Sequence, residues 1–542
     1  MKKSAYILSV ILLTLFVCPV SAQDAYTILS EEDITMKANI SGISMGSREV
    51  KHIVYEYPST DPDGNAVTIS GVIMAPIDIV NGTVPCDGII MYNHYTIGST
   101  NDAPSVGGEG ITAASTILAS PLKPNYIIVA SDYIGYGSSI DHIVSYICGD
   151  TNGRNSLDGL LAAFRLLEDK QIPQGKYLFN LGYSQGGTET MYAARLTDTE
   201  EKYKNIRFTK SFSGGGALDF EKIFRIYIDN DHCEDLEDVV MMVASVNENY
   251  HLGIPYNAIF KEPLASKVLE YFHSKDKSVV AELTELNAVS DIMQPEFMNE
   301  KNEYAKLFMA KLRDISITNG WEPDLTKQYF LAHSRHDNYV PIQSGRGMIT
   351  WMKEKGFTPS IVPGKTSLQT NTAIFKLNHQ QAAVVWAIQT LAAMQFWPVL
   401  YYEGEQNRYY HDVVKDMNLM KFIKILESLG IDVRSLLSSS MARGNLPTRF
   451  TLFDLIPDLA ERLATVNLTT DDLDEMCEDA GITQTDLIQL FAYLQEEPAS
   501  APATTLEDRL EAPLFLLRYY EQQLANWFML AGYDVNYSLW GM

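Results

Sequence analysis

The sequence predicts an α/β fold: a mostly parallel sheet with helices on both faces, an inserted helical cap, and an all-α C-terminal extension. Three observations predict this class. Short apolar runs bounded by turn residues alternate with helical patterns between about 86 and 219. The alternation is interrupted between 220 and 325, where helix formers and charged residues predominate, and it stops again at 402. Buried strands alternating with helices are typical of parallel sheets that are covered on both faces.

The N-terminus predicts a signal peptide at residues 1–22. Lys2 and Lys3 precede the apolar stretch SAYILSVILLTLFVCPVSA, with cleavage expected after Ala22. A retained membrane anchor is an alternative, although the apolar core is short for a span. Lipoprotein anchoring is a minor alternative, because Val17 stands where a small residue should precede Cys18. We therefore expect a secreted or periplasmic protein.

Composition narrows the class of partner. The chain is 46% hydrophobic and 20% charged, as globular proteins are, and its net charge is −26. A negative charge of this size argues against nucleic acid or anionic membrane as the main partner. We expect no transmembrane segment after the signal, no metal and no cofactor. Four cysteines remain in the mature chain and allow two disulfides in three pairings, among which the sequence does not choose: Cys86, Cys148, Cys233 and Cys477.

The first part of the α/β core is predicted at residues 23–219. It opens with two β-rich runs, VKHIVYEYPST and AVTISGVIMAP, which flank the turn sequence DPDGN and predict a hairpin. A helix over SLDGLLAAFRLLED follows later, with Ser156 as its N-cap. The predicted buried strands are CDGIIMYNH (86–94), NYIIVASDY (125–133), KYLFNLGYS (176–184), IRFTKSFS (206–213) and, after the insertion, QYFLAHS (328–334). Ligand sites of such sheets lie at the carboxyl ends of the strands.

The remaining boundaries follow from where the alternation breaks. We interpret 220–325 as a helical cap inserted into the core, and 326–401 as the second part of the core. Residues 402–542 form the C-terminal helical extension, with a Pro/Ala/Ser/Thr linker at 496–505. The extension is a candidate for contact with an unidentified protein.

One serine stands at a predicted strand-to-helix corner. Gly182-Tyr183-Ser184-Gln185-Gly186 matches G-x-S-x-G, where the serine is held in a strained turn and the glycines avoid collisions with the neighbouring strand and helix. The five-residue pattern alone is weak, and a plain glycine turn is the alternative. The strand before it and the helical TETMYAARL after it favour a nucleophile.

A serine nucleophile needs a histidine oriented by a carboxylate, and the expected chain order is serine, acid, histidine. Asp337 follows the QYFLAHS strand, and a solvated loop aspartate is the alternative reading. Beyond it, His379 opens an amphipathic helix and is favoured over His411, which lies in the approach to the extension. Asp132 precedes the serine in the chain, so we assign it a structural role.

An oxyanion formed during acyl transfer needs fixed hydrogen-bond donors. The backbone N–H of Gln185 is the first expected donor, since it directly follows the nucleophile. The second is expected from the loop after the GIIMYNH strand, at Tyr95 or at Thr96.

Six ordered elements now resemble the α/β-hydrolase superfamily, within which the chain is similar to secreted lipases and esterases. They are SGVIMAP, NHYTIG, SDYIGYG, GYSQGG, the D-x-x-V-P element at Asp337 and the NHQQA element at His379, within about 45–220 and 326–400. The resemblance implies ester hydrolysis through an acyl-enzyme, with Ser184 as nucleophile, His379 as base and Asp337 as orienting carboxylate. The chain departs from the family where Tyr95 follows His94 in place of glycine. The extension resembles nothing in these enzymes.

The sequence therefore predicts a secreted serine esterase or lipase that acts on a small-molecule or lipid-like ester. A serine peptidase of the same fold, acting on small peptides, is the first alternative. A non-catalytic binding protein on this fold is the second, although it would keep all three residues of the triad in order.

Overall fold

The structure is a computed structural model that describes residues 25–40, 43–120, 124–275, 279–280, 283, 286–299, 301–360, 366–374 and 377–396. Two predicted parts of the chain, the signal peptide and the C-terminal extension with its linker, lie outside these residues, as do Cys477 and His411. Within the described residues no helix combines the length and the apolar character that crossing a membrane requires.

Ten strands of the described chain form one sheet in the order β1-β2-β3-β5-β4-β6-β7-β8-β10-β9. The strands are β1 Thr27–Ile40, β2 Ile43–Thr60, β3 Ala66–Pro76, β4 Gly88–Asn93, β5 Tyr126–Ser131, β6 Tyr177–Tyr183, β7 Lys210–Gly214, β8 Tyr329–Ser334, β9 Pro359–Ser360 and β10 Leu368–Ile374. Strands β1, β2, β3 and β5 pair antiparallel, and every pair from β5 to β9 is parallel. The predicted hairpin is confirmed as β2 and β3.

The helices of the described chain lie between these strands, except for the last helix, which follows β10. They are α1 Ile77–Val80, α2 Thr112–Ala119, α3 Thr151–Asp169, α4 Gln185–Thr199, α5 Phe220–Asn230, α6 Leu236–Asn249, α7 Tyr256–Ile259, α8 Leu264–Ser274, α9 Val289–Ile292, α10 Pro295–Met298, α11 Glu303–Asp314, α12 Gln343–Glu354 and α13 His379–Phe396. Helices α2 and α13 pack on one sheet face, and α3 and α4 on the other. Helices α5 to α11 lie between β7 and β8, where the sequence predicted an insertion, and share a third apolar core.

The structure corrects several predicted elements. Helix α3 begins at Thr151 with Asp150 at its N-cap, so Ser156 lies buried inside the helix and is not a cap. Strand β1, which precedes the predicted first strand, was missed from the sequence. A strand at the edge of a sheet needs few apolar side chains, so its pattern is weak. Strands β9 and β10 were also missed, and β10 extends the sheet beyond QYFLAHS.

The described cysteines are free thiols. Cys148 and Cys233 are buried and Cys86 is half-buried, and no disulfide joins any two of the three.

Candidate active site

Ser184 occupies the turn between β6 and α4 in a strained conformation. Its φ and ψ are 58° and −126°, in the region that side-chain-bearing residues rarely adopt. Such a backbone costs about 1–3 kcal/mol and persists only where the surroundings enforce it. Here the N–H of Ser184 donates to the carbonyl of Gly214 on β7 at 2.8 Å. The half-buried serine is thereby lifted above the carboxyl end of the sheet.

The glycines of the motif are required by close backbone approach. A Cβ on Gly182 would lie 2.2 Å from the carbonyl oxygen of Gly186, and one on Gly186 would lie 2.1 Å from the carbonyl oxygen of Asn93. Both distances are far shorter than any carbon–oxygen contact allows. Helix α4 therefore approaches β4 and β6 more closely than any other residue type would permit.

Asp337 and His379 are directly paired. The Nδ1 atom of His379 lies 2.7 Å from Oδ2 of Asp337. The other oxygen, Oδ1, accepts from the N–H groups of Tyr339 at 3.0 Å and Val340 at 2.8 Å. Burial raises the pKa of this carboxyl, but His379 and the donated hydrogen bonds outweigh burial and hold it below its ordinary value. The side chain is therefore an oriented carboxylate at neutral pH.

The second ring nitrogen of His379 is available for chemistry. Its Nε2 is buried and has no hydrogen-bond partner within the described residues. The ring lies between Tyr183 and Tyr339, whose ring centroids are 5.0 and 5.3 Å away. The hydroxyl of Tyr183 also donates to the carbonyl of His379 at 2.8 Å, and this tyrosine directly precedes Ser184. The serine corner and the histidine are thus tied through adjacent residues.

The two candidate oxyanion donors lie at different elements. Gln185 is the first residue of α4, where a backbone N–H has no partner inside the helix. Tyr95 follows β4 and is half-buried, and its carbonyl lies 2.7 Å from Nδ1 of His94. The neighbouring Thr96 hydroxyl lies 3.1 Å from the hydroxyl of Tyr146.

His94 is a buried anchor beneath this loop. Its ring stacks on Tyr133 at 3.9 Å, and its Nε2 lies 3.3 Å from the carbonyl of Asp132. Burial lowers the pKa of His94 to about 4, so the ring is neutral near pH 7. A neutral imidazole carries one N–H, and the shorter contact to Tyr95 is the stronger candidate for its acceptor.

Asp132 makes contacts of its own, whereas His333 lies beside the Asp337 carboxylate at a longer distance than His379 does. The buried carboxylate of Asp132 accepts from Ser70 at 2.6 Å and from the N–H of Ser105 at 2.7 Å, as a loop anchor would. His333 is buried with Nε2 at 2.9 Å from the carbonyl of Val340, and 3.5 Å from Asp337. His336 is exposed.

Several residues around the site were not found from sequence. Tyr339 packs on His379, and its position two residues after Asp337 was the available signal. Asp238 of α6 accepts from Tyr146 at 3.0 Å, which joins the helical insertion to the Thr96 loop. No local pattern marks that contact, because 92 residues separate the two side chains. Within the described residues no cluster of histidine, cysteine and acidic side chains could hold a metal ion.

Comparisons with known proteins find likeness in structure only. No family model matches the chain, and no curated protein matches it in sequence. A presumed hydrolase from Legionella pneumophila has a TM-score of 0.59 at 19% identity, over 70% of this chain and 99% of that one. The rice cell wall degrading esterase LipA from Xanthomonas oryzae has a TM-score of 0.53 at 18% identity, over 69% and 95% of the two chains. The chain therefore has the α/β-hydrolase fold, with a mostly parallel sheet and a strained serine corner at its carboxyl edge.

Proposed function

We propose that the protein is an exported serine hydrolase that cleaves carboxylic esters through an acyl-enzyme on Ser184. The observation that carries the proposal is the 2.7 Å pairing of Asp337 with Nδ1 of His379, which leaves Nε2 without a hydrogen-bond partner in the part of the chain that the structure describes. The backbone carbonyl of His379 accepts a hydrogen bond from the hydroxyl of Tyr183, the residue directly before the strained serine. A serine, a histidine with a free nitrogen and a buried carboxylate are the parts that acyl transfer needs.

Acylation would begin when Nε2 of His379 takes the proton of the Ser184 hydroxyl. The serine oxygen then bonds to the ester carbonyl carbon, and the carbonyl electron pair moves to oxygen. The N–H groups of Gln185 and Tyr95 are the proposed donors to that oxyanion. Collapse of the intermediate breaks the bond to the alcohol oxygen, which takes the proton from Nε2. Asp337 stabilises the imidazolium in between, because its charge lies against Nδ1.

Deacylation would repeat these steps with water. His379 takes a proton from water, the hydroxide attacks the acyl carbon, and the bond to the serine oxygen breaks as the serine is reprotonated. The products are a carboxylic acid and the free enzyme. The mechanism requires no cofactor.

The organisation around this site is part of the proposal. Residues 1–22 would be the export signal, and 220–325 a cap over the site, consistent with the contact between Asp238 of α6 and Tyr146. LipA of Xanthomonas oryzae is described as an esterase that degrades rice cell walls, which favours ester cleavage for this fold. The substrate class we propose is a small-molecule or lipid-like ester.

The test is hydrolysis of p-nitrophenyl esters from acetyl to palmitoyl by wild type and Ser184→Ala. We expect turnover by the wild type and a loss of about 10³-fold or more in the variant. A fluorophosphonate probe should add its mass to the peptide containing Ser184 in the wild type alone. The chain-length optimum then separates an esterase from a lipase. A folded wild type that cleaves no ester but cleaves proline-containing peptides would overturn the proposal.

A further inference from the structure

Glu189 is a buried carboxyl one helical turn beyond the proposed nucleophile. It is 1% exposed, and its Oε1 accepts from Nδ2 of Asn152 on α3 at 3.2 Å. Asn152 is 2% exposed and donates from the same nitrogen to the carbonyl of Ser145 at 2.7 Å. Two oxygens of this pair, Oε2 of Glu189 and Oδ1 of Asn152, are buried without a hydrogen-bond partner among the described residues.

One proton would satisfy both oxygens. Oε2 of an ionised Glu189 and Oδ1 of Asn152 can only accept hydrogen bonds, so together they would leave two unsatisfied acceptors in the interior. With a proton on Oε2, the acid can donate to Oδ1 of Asn152 while Nδ2 donates to Oε1. The second N–H of Asn152 stays on Ser145. Unsatisfied buried polar atoms and unpaired buried charges are both costly, and this arrangement removes both.

The surroundings of Glu189 favour the neutral acid. Burial raises its pKa to about 8, although Asn152, Gln185 and the N–H of Gly153 each lower it. Asp150 adds a like charge that raises it further. The other titratable groups that face Glu189 are neutral side chains on three elements: Tyr133 after β5, Cys148 before α3 and Tyr192 on α4. The five largest influences on its pKa are burial, Asn152, Gln185, Asp150 and the N–H of Gly153, and none of these is a cation.

The pair also reaches both proposed oxyanion donors. Glu189 lies four residues along α4 from Gln185, whose side chain lies close enough to lower its pKa. Through Asn152 it holds Ser145, and the next residue, Tyr146, contacts Thr96 beside Tyr95.

The loop at 144–148 is fixed from the other side by the helical insertion. Ser245 and Asn249 of α6 both donate to the carbonyl of Val144 at 2.9 Å. Asp238 accepts from Tyr146. The loop is therefore clamped between α6 and the Glu189–Asn152 pair.

We propose that Glu189 is a protonated acid paired with Asn152, and that this pair positions the Gln185 corner and the Tyr95 loop for acyl transfer. Glu189 is a positioning residue in this proposal, since it acts through Gln185 and through the 144–148 loop. The kinetic part rests on the proposed function. When Glu189 ionises, it can no longer donate a hydrogen bond to Asn152, and the turn at Ser184 and Gln185 is held less firmly.

The first test compares p-nitrophenyl butyrate kinetics of the full chain from pH 6 to 10. Glu189→Gln keeps a neutral group with an acceptor oxygen and an NH2 group that can donate to Asn152, so its kcat at pH 7 should stay within about threefold of wild type. Glu189→Ala should lower kcat about tenfold or more with KM nearly unchanged. The wild type should lose more kcat than Glu189→Gln between pH 7 and 9.5. Glu201→Gln, an exposed glutamate after α4, is the matched control and should follow the wild type.

Two kinetic results would overturn the positioning role. Glu189→Gln could be as impaired as Glu189→Ala, which would mean that the charge is needed. Alternatively, the pH profiles of Glu189→Gln and wild type could run parallel, which would mean that Glu189 does not titrate in the active enzyme.

The second test needs no turnover and separates this proposal from the proposed function. An acid whose pKa is raised on folding loses stability as pH rises from its unfolded value near 4.5 to its folded value near 8. The melting temperature of Glu189→Gln minus that of wild type should therefore increase between pH 5 and 8 and stay constant above pH 8. Parallel curves would contradict the acid–amide pair, even if the enzyme cleaved no ester. Widening curves without esterase activity would support the pair and reject the reaction.

Discussion

The hydroxyl of Tyr227 donates a 2.6 Å hydrogen bond to the carbonyl of Tyr339. Tyr227 lies on α5 of the helical insertion, and the ring of Tyr339 packs against His379. The helical insertion therefore fixes directly the residue, Tyr339, that packs against His379. The loop after β8 carries both Asp337 and Tyr339. It is fixed at one end by β8 and, through Tyr339, by α5.

Removal of the Tyr227 hydroxyl should loosen the packing of Tyr339 against His379. A neutral hydrogen bond contributes about 1 kcal/mol, so Tyr227→Phe should lower kcat/KM about fivefold while the chain stays folded. Tyr256→Phe is the matched control, because Tyr256 bonds Glu248 within the same insertion and away from Tyr339. Steady-state kinetics with p-nitrophenyl butyrate check both variants. Equal kinetics for the two would contradict a role of α5 at the histidine.

Asp337→Asn should remove activity without removing the shape of the site. The amide can keep the hydrogen bonds from Tyr339 and Val340, but it carries no charge to stabilise an imidazolium and favours the wrong tautomer of His379. We expect kcat to fall about 10³- to 10⁴-fold. Asp314→Asn, at an exposed end of α11, should change kcat by less than about twofold. Retention of a tenth of the activity would exclude Asp337 as the orienting acid.

The buried ring of His94 should make the protein acid-sensitive. Its pKa falls from an ordinary value near 6.5 to about 4, because burial disfavours the charged form. The unfolded chain therefore binds a proton between pH 6.5 and 4 that the folded chain does not, and stability falls as the pH is lowered through that window. The loss is on the order of 3 kcal/mol.

Urea unfolding at pH 7 and at pH 4.5 measures that loss. His94→Gln should be less stable than wild type at pH 7 but should lose less stability on acidification. His273→Gln, at an exposed histidine on α8, should lose as much as wild type. Identical losses for His94→Gln and wild type would show that another group governs the acid response.

Gly186→Ala should prevent the corner from forming. The new Cβ would collide with the carbonyl of Asn93, and neither backbone can move without displacing β4 or α4. We expect little folded protein, or a melting temperature lowered by many degrees. Gly347→Ala is the matched control, because that helical glycine has open space around it, and alanine there should stabilise α12 by about 0.5–1 kcal/mol. Circular dichroism melting of both variants checks the contrast.

Sequence reasoning located the central strands and the serine corner, because both depend on local patterns. The apolar runs at β4, β5 and β8 are buried along their length, and β6 is buried from its third residue onward. The chain order of serine, acid and histidine selected Asp337 and His379. The histidine and the aspartate are then found paired.

What sequence reasoning missed depends on contacts between distant segments. Strand β1 has a largely polar sequence, and from Thr27 to Ala38 only Met36 and Ala38 are buried, as an edge strand allows. Glu189 looks like an ordinary helical glutamate, and only its burial against Asn152 makes it unusual. Helix α3 starts five residues before the predicted cap because buried polar residues, among them Asn152 and Asn155, fill its first turns.

In the proposed function, the corner at Ser184 also determines when the chain first becomes reactive. Its φ of 58° is enforced by the carbonyl of Gly214 and by close packing against Asn93, so a free chain has no reason to adopt it. The partners Asp337 and His379 belong to segments far downstream. A chain that has not yet folded therefore carries an ordinary, inert serine. The proposed reaction requires all three segments to be folded together, so labelling of Ser184 would measure how much of a preparation is native.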